Sequence, residues 1–240
     1  RIMTGGVEFN TNIVLCGLSG GGKSALVNIL QKDLVELNPH EEFDILFFTF
    51  EMNSFQHIIR NLCQDLRYEY GDLLSAEHNL DKRILAKAKE IVINYHKYPS
   101  YYCQTSGDVG KVYNTIKNFQ KERRAVTGNP NRKLIYIIDH TTLVSNQGGE
   151  SEMIMLTRLS NMAINLKLEK LGIAGIFLSQ LNSNIESDNR ITKLSLHAPR
   201  RNDVFNAKAI FNMADVVLVA HRPENLGIDF YTVNKYPTKD

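Results

Sequence analysis

Apolar residues gather along this chain in two alternating patterns. Short, nearly unbroken apolar runs predict strands buried on both faces: Ile13-Val-Leu-Cys16, Asp44–Phe50, Lys133–Asp139, Gly172–Ser179 and Val216–Ala220. Tyr101–Gln104 and Asp229–Val233 are shorter strand candidates. Between them apolar residues recur at helical spacing. Ala25, Leu26, Ile29, Leu30 and Val35 mark one helix, and Phe55–Leu66 a second behind an Asn53 or Ser54 cap. Leu80–Tyr95 reads as a helix charged on one side. Another opens at Ser106 or Asp108 with Val109, Val112, Ile116 and Phe119 on one face. Leu156, Leu159, Met162, Ala163 and Leu166 line a further helix after a polar Gly-Gly loop, Asn146–Ser151. Asn129–Arg132 is a turn, and Asn182–Asn206 reads as a long polar loop without regular elements. Strands alternating with helices predict an α/β fold: a mostly parallel central sheet with helices on both faces. No linker or internal repeat divides residues 1–240, so a single domain is expected.

Composition narrows the class little. Hydrophobic residues make up 43% and charged residues 22%, as in an ordinary globular protein, and no apolar run reaches bilayer-spanning length. The net charge of +2 leaves any polyanion to a local patch rather than to the whole surface. Cys16, Cys63 and Cys103 are far apart and lack metal-ligand spacing, so they read as buried free thiols of a cytoplasmic protein. A chain beginning at Arg1 without a signal segment reads as a trimmed piece of a longer protein.

The chemistry is concentrated in Gly17-Leu-Ser-Gly-Gly-Gly-Lys-Ser24, a full G-x-x-x-x-G-K-[ST] word between a strand and a helix. Glycines let backbone N–H groups converge on phosphate oxygens at the positive end of the following helix. Gly17, Ser19, Gly20, Gly21, Gly22, Lys23 and Ser24 are therefore the ATP-binding candidates, with Lys23 on the β- and γ-phosphates and Ser24 on Mg²⁺. Asp139 ends a strand where a carboxylate can hold the same Mg²⁺. His140 beside it reads as a packing residue. Glu51 ends another strand, either as the base that activates the attacking water or as a solvated loop acid. Gln180 either senses the γ-phosphate or satisfies backbone groups.

These elements in order, with the words around them, resemble the motor domain of DnaB-like replicative helicases, within the RecA-type ATPases. Thr4-Gly-Gly6 resembles that family's lead-in, and Phe48-Thr-Phe-Glu-Met52 its F-S-L-E-M word. Leu134–Asp139 is similar to its Walker B strand, Leu178-Ser-Gln-Leu-Asn182 to L-S-Q-L-[NS], and Ala214–Leu218 to A-D-L-I-M. The resemblance implies a RecA-like fold, Glu51 as catalytic base and Gln180 as the link between γ-phosphate and DNA-binding loops. It also implies a hexameric ring moving 5′–3′ on single-stranded DNA, with a primase or helicase loader as partner. The family's N-terminal helical domain is absent from this sequence.

Two words depart from the family. Its Arg and Glu before the A-D strand correspond here to Phe205 and Asn206, leaving Lys208, with Arg200 and Arg201 upstream, as DNA-contact candidates or as a solvated basic loop. Its final K-x-R word, whose lysine and arginine reach the neighbouring subunit's nucleotide, reads Lys235-Tyr-Pro237. Lys235 matches and the arginine does not, so Arg200 or Arg201 supplies it or hydrolysis in trans is weakened. An arginine finger is worth about 10³–10⁵ in rate. A RecA- or KaiC-like ATPase without unwinding, and a nucleotide-binding loader or interaction module, are the alternative readings.

Overall fold

Runs with no polar break have to be covered on both sides, and the strands they form are buried almost from end to end. The computed structural model describes residues 6–50, 53–75, 80–105, 107–139, 141 and 151–238. Its strands are β1 (Asn12–Gly17), β2 (Phe43–Thr49), β3 (Ser100–Cys103), β4 (Lys133–Asp139), β5 (Ile173–Gln180) and β6 (Val216–Ala220). They form one six-stranded sheet in the order β3-β2-β4-β5-β1-β6. Every neighbouring pair in it is parallel, so the sheet is wholly rather than mostly parallel.

The helices are α1 (Lys23–Glu36), α2 (Ser54–Leu66), α3 (Tyr70–Leu74), α4 (Lys82–Tyr95), α5 (Val109–Thr127), α6 (Glu152–Leu168), α7 (Asp188–Thr192) and α8 (Ala207–Met213). Alternation along β4 divides the core. Leu134, Tyr136 and Ile138 pack with Val112 and Ile116 of α5, Leu159 of α6 and Ile210 of α8. Ile135 and Ile137 face the other way, against Leu15, Phe47 and Val27 of α1. Each such side chain taken fully out of water contributes about 1.5–3 kcal/mol, so both layers are held mainly by apolar burial. Asn12 adds a polar clamp, its Nδ2 donating to Ala163 O at 3.1 Å and Met213 O at 3.2 Å.

Local caps follow the sequence. Asn53 accepts from Gln56 N while Gln56 Oε1 accepts from Asn53 N, a reciprocal box that starts α2. Asp108 caps α5 through Lys111 N, and Ser151 caps α6. Cys16 and Cys63 are buried and Cys103 half-buried, all as free thiols. Among the described residues no helix is long and apolar enough to cross a membrane.

Two expectations need correction. Residues 182–206 are not without elements: 3₁₀ turns at Ser183–Glu186, Leu194–Leu196 and Arg201–Asp203 flank α7. Side-chain bonds, not apolar periodicity, hold them. The Arg190 guanidinium donates to both Asp203 carboxylate oxygens (2.8 and 2.9 Å), to Leu196 O (2.7 Å) and to Ala198 O (3.1 Å). The strand expected over Asp229–Val233 shrinks to β7 (Phe230–Tyr231), paired antiparallel with β8 (Tyr236–Pro237) in a separate hairpin. Thr232 and Lys235, with φ of 60° and 52°, turn the chain back before a longer strand can form.

Candidate nucleotide site

The Gly17–Ser24 turn grows out of the end of β1. Gly17 is required there, because a Cβ would lie 2.7 Å from the Ala220 carbonyl oxygen on β6. Gly20 and Gly22 then adopt φ of 69° and 89°, the left-handed region that favours glycine. Gly22 is the N-cap of α1, so the turn delivers Lys23 and Ser24 to the helix's first turn, which holds no acidic residue. The positive helix end is left to an external anion. Ser19 and Gly20 are exposed and Ser24 half-buried at the mouth of the turn. The Lys23 ammonium is drawn back across the loop, donating to Gly17 O and Leu18 O, both at 2.8 Å.

Asp139 ends β4 with 1% of its surface exposed, and its Cα partner on β2 is Thr49. By alternation with Ile135 and Ile137 it belongs to the α1 face of the sheet. His57 of α2, wholly buried, brings Nε2 to 3.9 Å from Asp139 Oδ2, while its Nδ1 lies 3.4 Å from Asn28 Oδ1 of α1. The imidazole is wedged against the rings of Phe47 and Tyr102. Burial, assisted by Arg60, lowers the His57 pKa to about 4. The ring beside the carboxylate is therefore neutral at pH 7.

The Thr49, Thr141 and Ser179 hydroxyl oxygens are buried without a hydrogen-bond partner among the described residues. Asp139 and the Thr49 hydroxyl, on one face of the sheet at the carboxyl ends of β4 and β2, are hard oxygen donors that fit Mg²⁺, which keeps waters and phosphate oxygens and asks the protein for one or two carboxylates. No cluster of three His, Cys, Asp or Glu suited to another metal occurs among the described residues.

Gln180 ends β5 as the Cα partner of Gly17. The chain beyond it is stitched to the polar segment: Phe205 N donates to Gln180 O at 3.0 Å, Asn182 N donates to Asp203 O at 2.6 Å, and Leu181 bridges Val204. The end of the strand beside the Gly17–Ser24 turn is thus bonded directly to residues 203–205. Arg200 and Arg201 flank that contact and are exposed. Arg200 N donates to Asp203 Oδ2, and the Arg201 guanidinium lies 4.5 Å from the Phe211 ring of α8, the helix that carries exposed Lys208. Arg201 is thereby tied to α8, while the Arg200 guanidinium donates to Ser195 O at 3.3 Å.

Lys235 is exposed in the β7–β8 turn, on a different element from the cradle. His197 ties that hairpin down, with Nδ1 accepting from Thr232 N at 3.1 Å and Nε2 donating to Ile191 O at 2.9 Å. Glu51 and His140 lie outside the described residues. His57, Arg190, Asp203 and His197 had not been singled out from the sequence. Only His57 carried a signal, a lone histidine within the apolar face of α2.

A family model described as the DnaB-like helicase C terminal domain matches residues 2–235. No curated protein matches the chain in sequence. Among solved structures, the fold is similar to one described as an ATPase domain, with a TM-score of 0.72 and 16% identity over 88% of this chain and 69% of that one. It is equally similar to a DnaB-like replicative helicase described with its interactions with primase, with a TM-score of 0.72 and 17% identity. The alignment covers 88% of this chain but 47% of that helicase, so this chain spans about half its length.

Proposed function

The chain belongs to the DnaB-like helicase C-terminal domain family, and from that premise we propose that residues 1–240 are a single ATP-hydrolysing motor domain driving a replicative DNA helicase 5′–3′ along single-stranded DNA. Lys23 would leave the Gly17 and Leu18 carbonyls, to which it now donates, for the β- and γ-phosphates. Ser24 and Asp139 would hold Mg²⁺, which supplies charge neutralisation at the transferring phosphoryl group. Glu51 would take the proton of the attacking water, and Gln180 would register whether the γ-phosphate is present.

The observation that carries this reading is the stitching of Gln180 to Phe205 and of Asn182 to Asp203. Through these bonds a small shift at the end of β5 would reach the 200–208 segment, where Arg200, Arg201 and Lys208 stand exposed. Contacts from these cations to DNA phosphates carry no base information, which suits a motor that moves on any sequence. Lys235, exposed on its hairpin, would reach the nucleotide of a neighbouring subunit in a hexameric ring, with Arg200 or Arg201 in the place of the arginine this sequence lacks. A primase is the expected partner by analogy with the similar helicase.

Strand displacement tests the reading. With ATP and Mg²⁺, the protein should unwind a duplex bearing a 5′ single-stranded tail and leave one bearing only a 3′ tail intact. Pro237, standing in β8 where the family's arginine is expected, favours a second reading, a nucleotide-binding interaction module. ATP binding without displacement of either substrate would select it.

A further inference from the structure

A concave cavity of about 480 Å³ lies between α1, α2, α4 and the edge strand β3, within the range of roughly 300–1,000 Å³ that holds small ligands. None of Gly17–Ser24, Asp139 or Gln180 lines it. Its α1 wall begins at Asn28, a full turn beyond Ser24.

The lining is specific in its chemistry. Tyr95, Tyr98 and Tyr102 supply aromatic surface. Asn61 Oδ1 and Ser100 Oγ, both in the wall, are buried and have no hydrogen-bond partner among the described residues. Tyr102 and Gln31 meet only at 3.4–3.5 Å. The lysine of the lining is already paired, because Asp65 takes Lys32 Nζ at 2.6 Å and the Tyr95 hydroxyl at 2.7 Å. Asp33 adds a further negative charge to the lining. A phosphorylated ligand would meet repulsion here, and an aliphatic one would leave the Asn61 amide and the Ser100 hydroxyl unsatisfied at a cost. A neutral planar ring with a hydrogen-bonding edge meets both demands, stacking on tyrosine while the Asn61 amide pairs with its edge, as asparagine does with adenine.

We propose that this cavity is a second binding site, separate from the phosphate cradle, for a neutral nucleobase of the adenine type presented as a nucleoside. Asn28 and Tyr102 line the cavity and also hold His57 beside Asp139. A bound ring would therefore stiffen the residues that back the catalytic edge of the sheet.

Equilibrium dialysis with radiolabelled adenosine tests the site directly. The wild-type chain and Lys23→Ala should bind one adenosine with equal affinity, because the phosphate cradle takes no part. Asn61→Leu should weaken binding at least tenfold. The isosteric Asn61→Asp, which loses the amide donor while preserving shape, should also weaken it, with both variants checked for an unchanged thermal midpoint. Absence of adenosine binding at millimolar concentration would overturn the proposal. So would loss of binding in Lys23→Ala, or wild-type affinity in both Asn61 variants.

Discussion

His57 Nε2 lies 3.9 Å from Asp139 Oδ2, with both side chains buried and the imidazole held neutral. A neutral ring whose Nδ1–H points to Asn28 Oδ1 leaves Nε2 bare, so at 3.9 Å it packs beside the carboxylate and limits its rotation without cancelling its charge. That suits a carboxylate reserved for a cation. Groups that orient a metal ligand typically cost about 10–100-fold in metal affinity or activity when removed. His57→Leu should therefore raise the Mg²⁺ concentration that half-saturates ATP turnover by about tenfold. His57→Gln, a polar side chain of similar reach that can still donate to Asn28 Oδ1, should recover part of the loss. An Mg²⁺ titration of both variants separates this orienting role from simple packing, which would lower stability without moving the Mg²⁺ dependence.

The Arg190–Asp203 pair makes a prediction about the 182–206 segment. Both side chains are largely shielded, at 13% and 7% exposure, and removing one member of a buried pair typically costs about 3–5 kcal/mol. Here the loss should be local, since the pair binds residues 188–203 to one another. Arg190→Ala should expose the 182–206 segment to limited proteolysis and abolish stimulation of ATP turnover by single-stranded DNA. Affinity for ATP itself should be retained.

The same pair sets a pH response. Burial tends to raise the Asp203 pKa, but hydrogen bonds from Arg190 and from Arg200 N–H outweigh it and hold the carboxyl below its ordinary value of 3.8. A folded-state pKa below the unfolded one contributes stability that is present above the unfolded value and is lost as pH falls through the folded value. Thermal midpoints of wild type and Asp203→Asn should thus differ at pH 7 and converge only well below pH 4. A difference that vanished at pH 5 would contradict the assignment.

Gly17 and Gly22 fail differently when substituted. Gly17→Ala places a methyl 2.7 Å from the Ala220 carbonyl and must push β6 away from β1, whereas Gly22→Ala meets no atom within 4 Å but imposes a φ of 89° on an L-residue. The second strain is worth about 1–3 kcal/mol. Both should lose nucleotide binding in equilibrium dialysis with ATP. Only Gly17→Ala should also perturb the β1–β6 edge, read as faster amide exchange in β6.

The Gly17–Ser24 turn and the strand ends beside it were legible because their sequence signal is local. Eight consecutive residues make the cradle, and the apolar runs ending at Gly17, Asp139 and Gln180 place those residues at one edge of a parallel sheet. What escaped was non-local. The strand order depends on which apolar faces find each other, and nothing near His57 in the chain names Asp139 as its neighbour. Residues 182–206 read as loop because one arginine, reaching Asp203 thirteen positions away, organises them in place of a periodic apolar face. The terminal hairpin was missed because Thr232 and Lys235, neither a glycine, take the positive φ angles that make its turn.

The central claim is that Gly17–Ser24, Glu51, Asp139 and Gln180 form an ATP-hydrolysing site whose turnover is coupled to single-stranded DNA. Steady-state ATP hydrolysis, with and without single-stranded DNA, tests it in wild type, Lys23→Ala and Glu51→Gln. The account predicts DNA-stimulated turnover in wild type, neither binding nor turnover in Lys23→Ala, and tight ATP binding with turnover reduced at least 100-fold in Glu51→Gln, as expected for a general base worth about 10²–10⁴. Wild-type turnover in Glu51→Gln, or hydrolysis indifferent to single-stranded DNA, would contradict it.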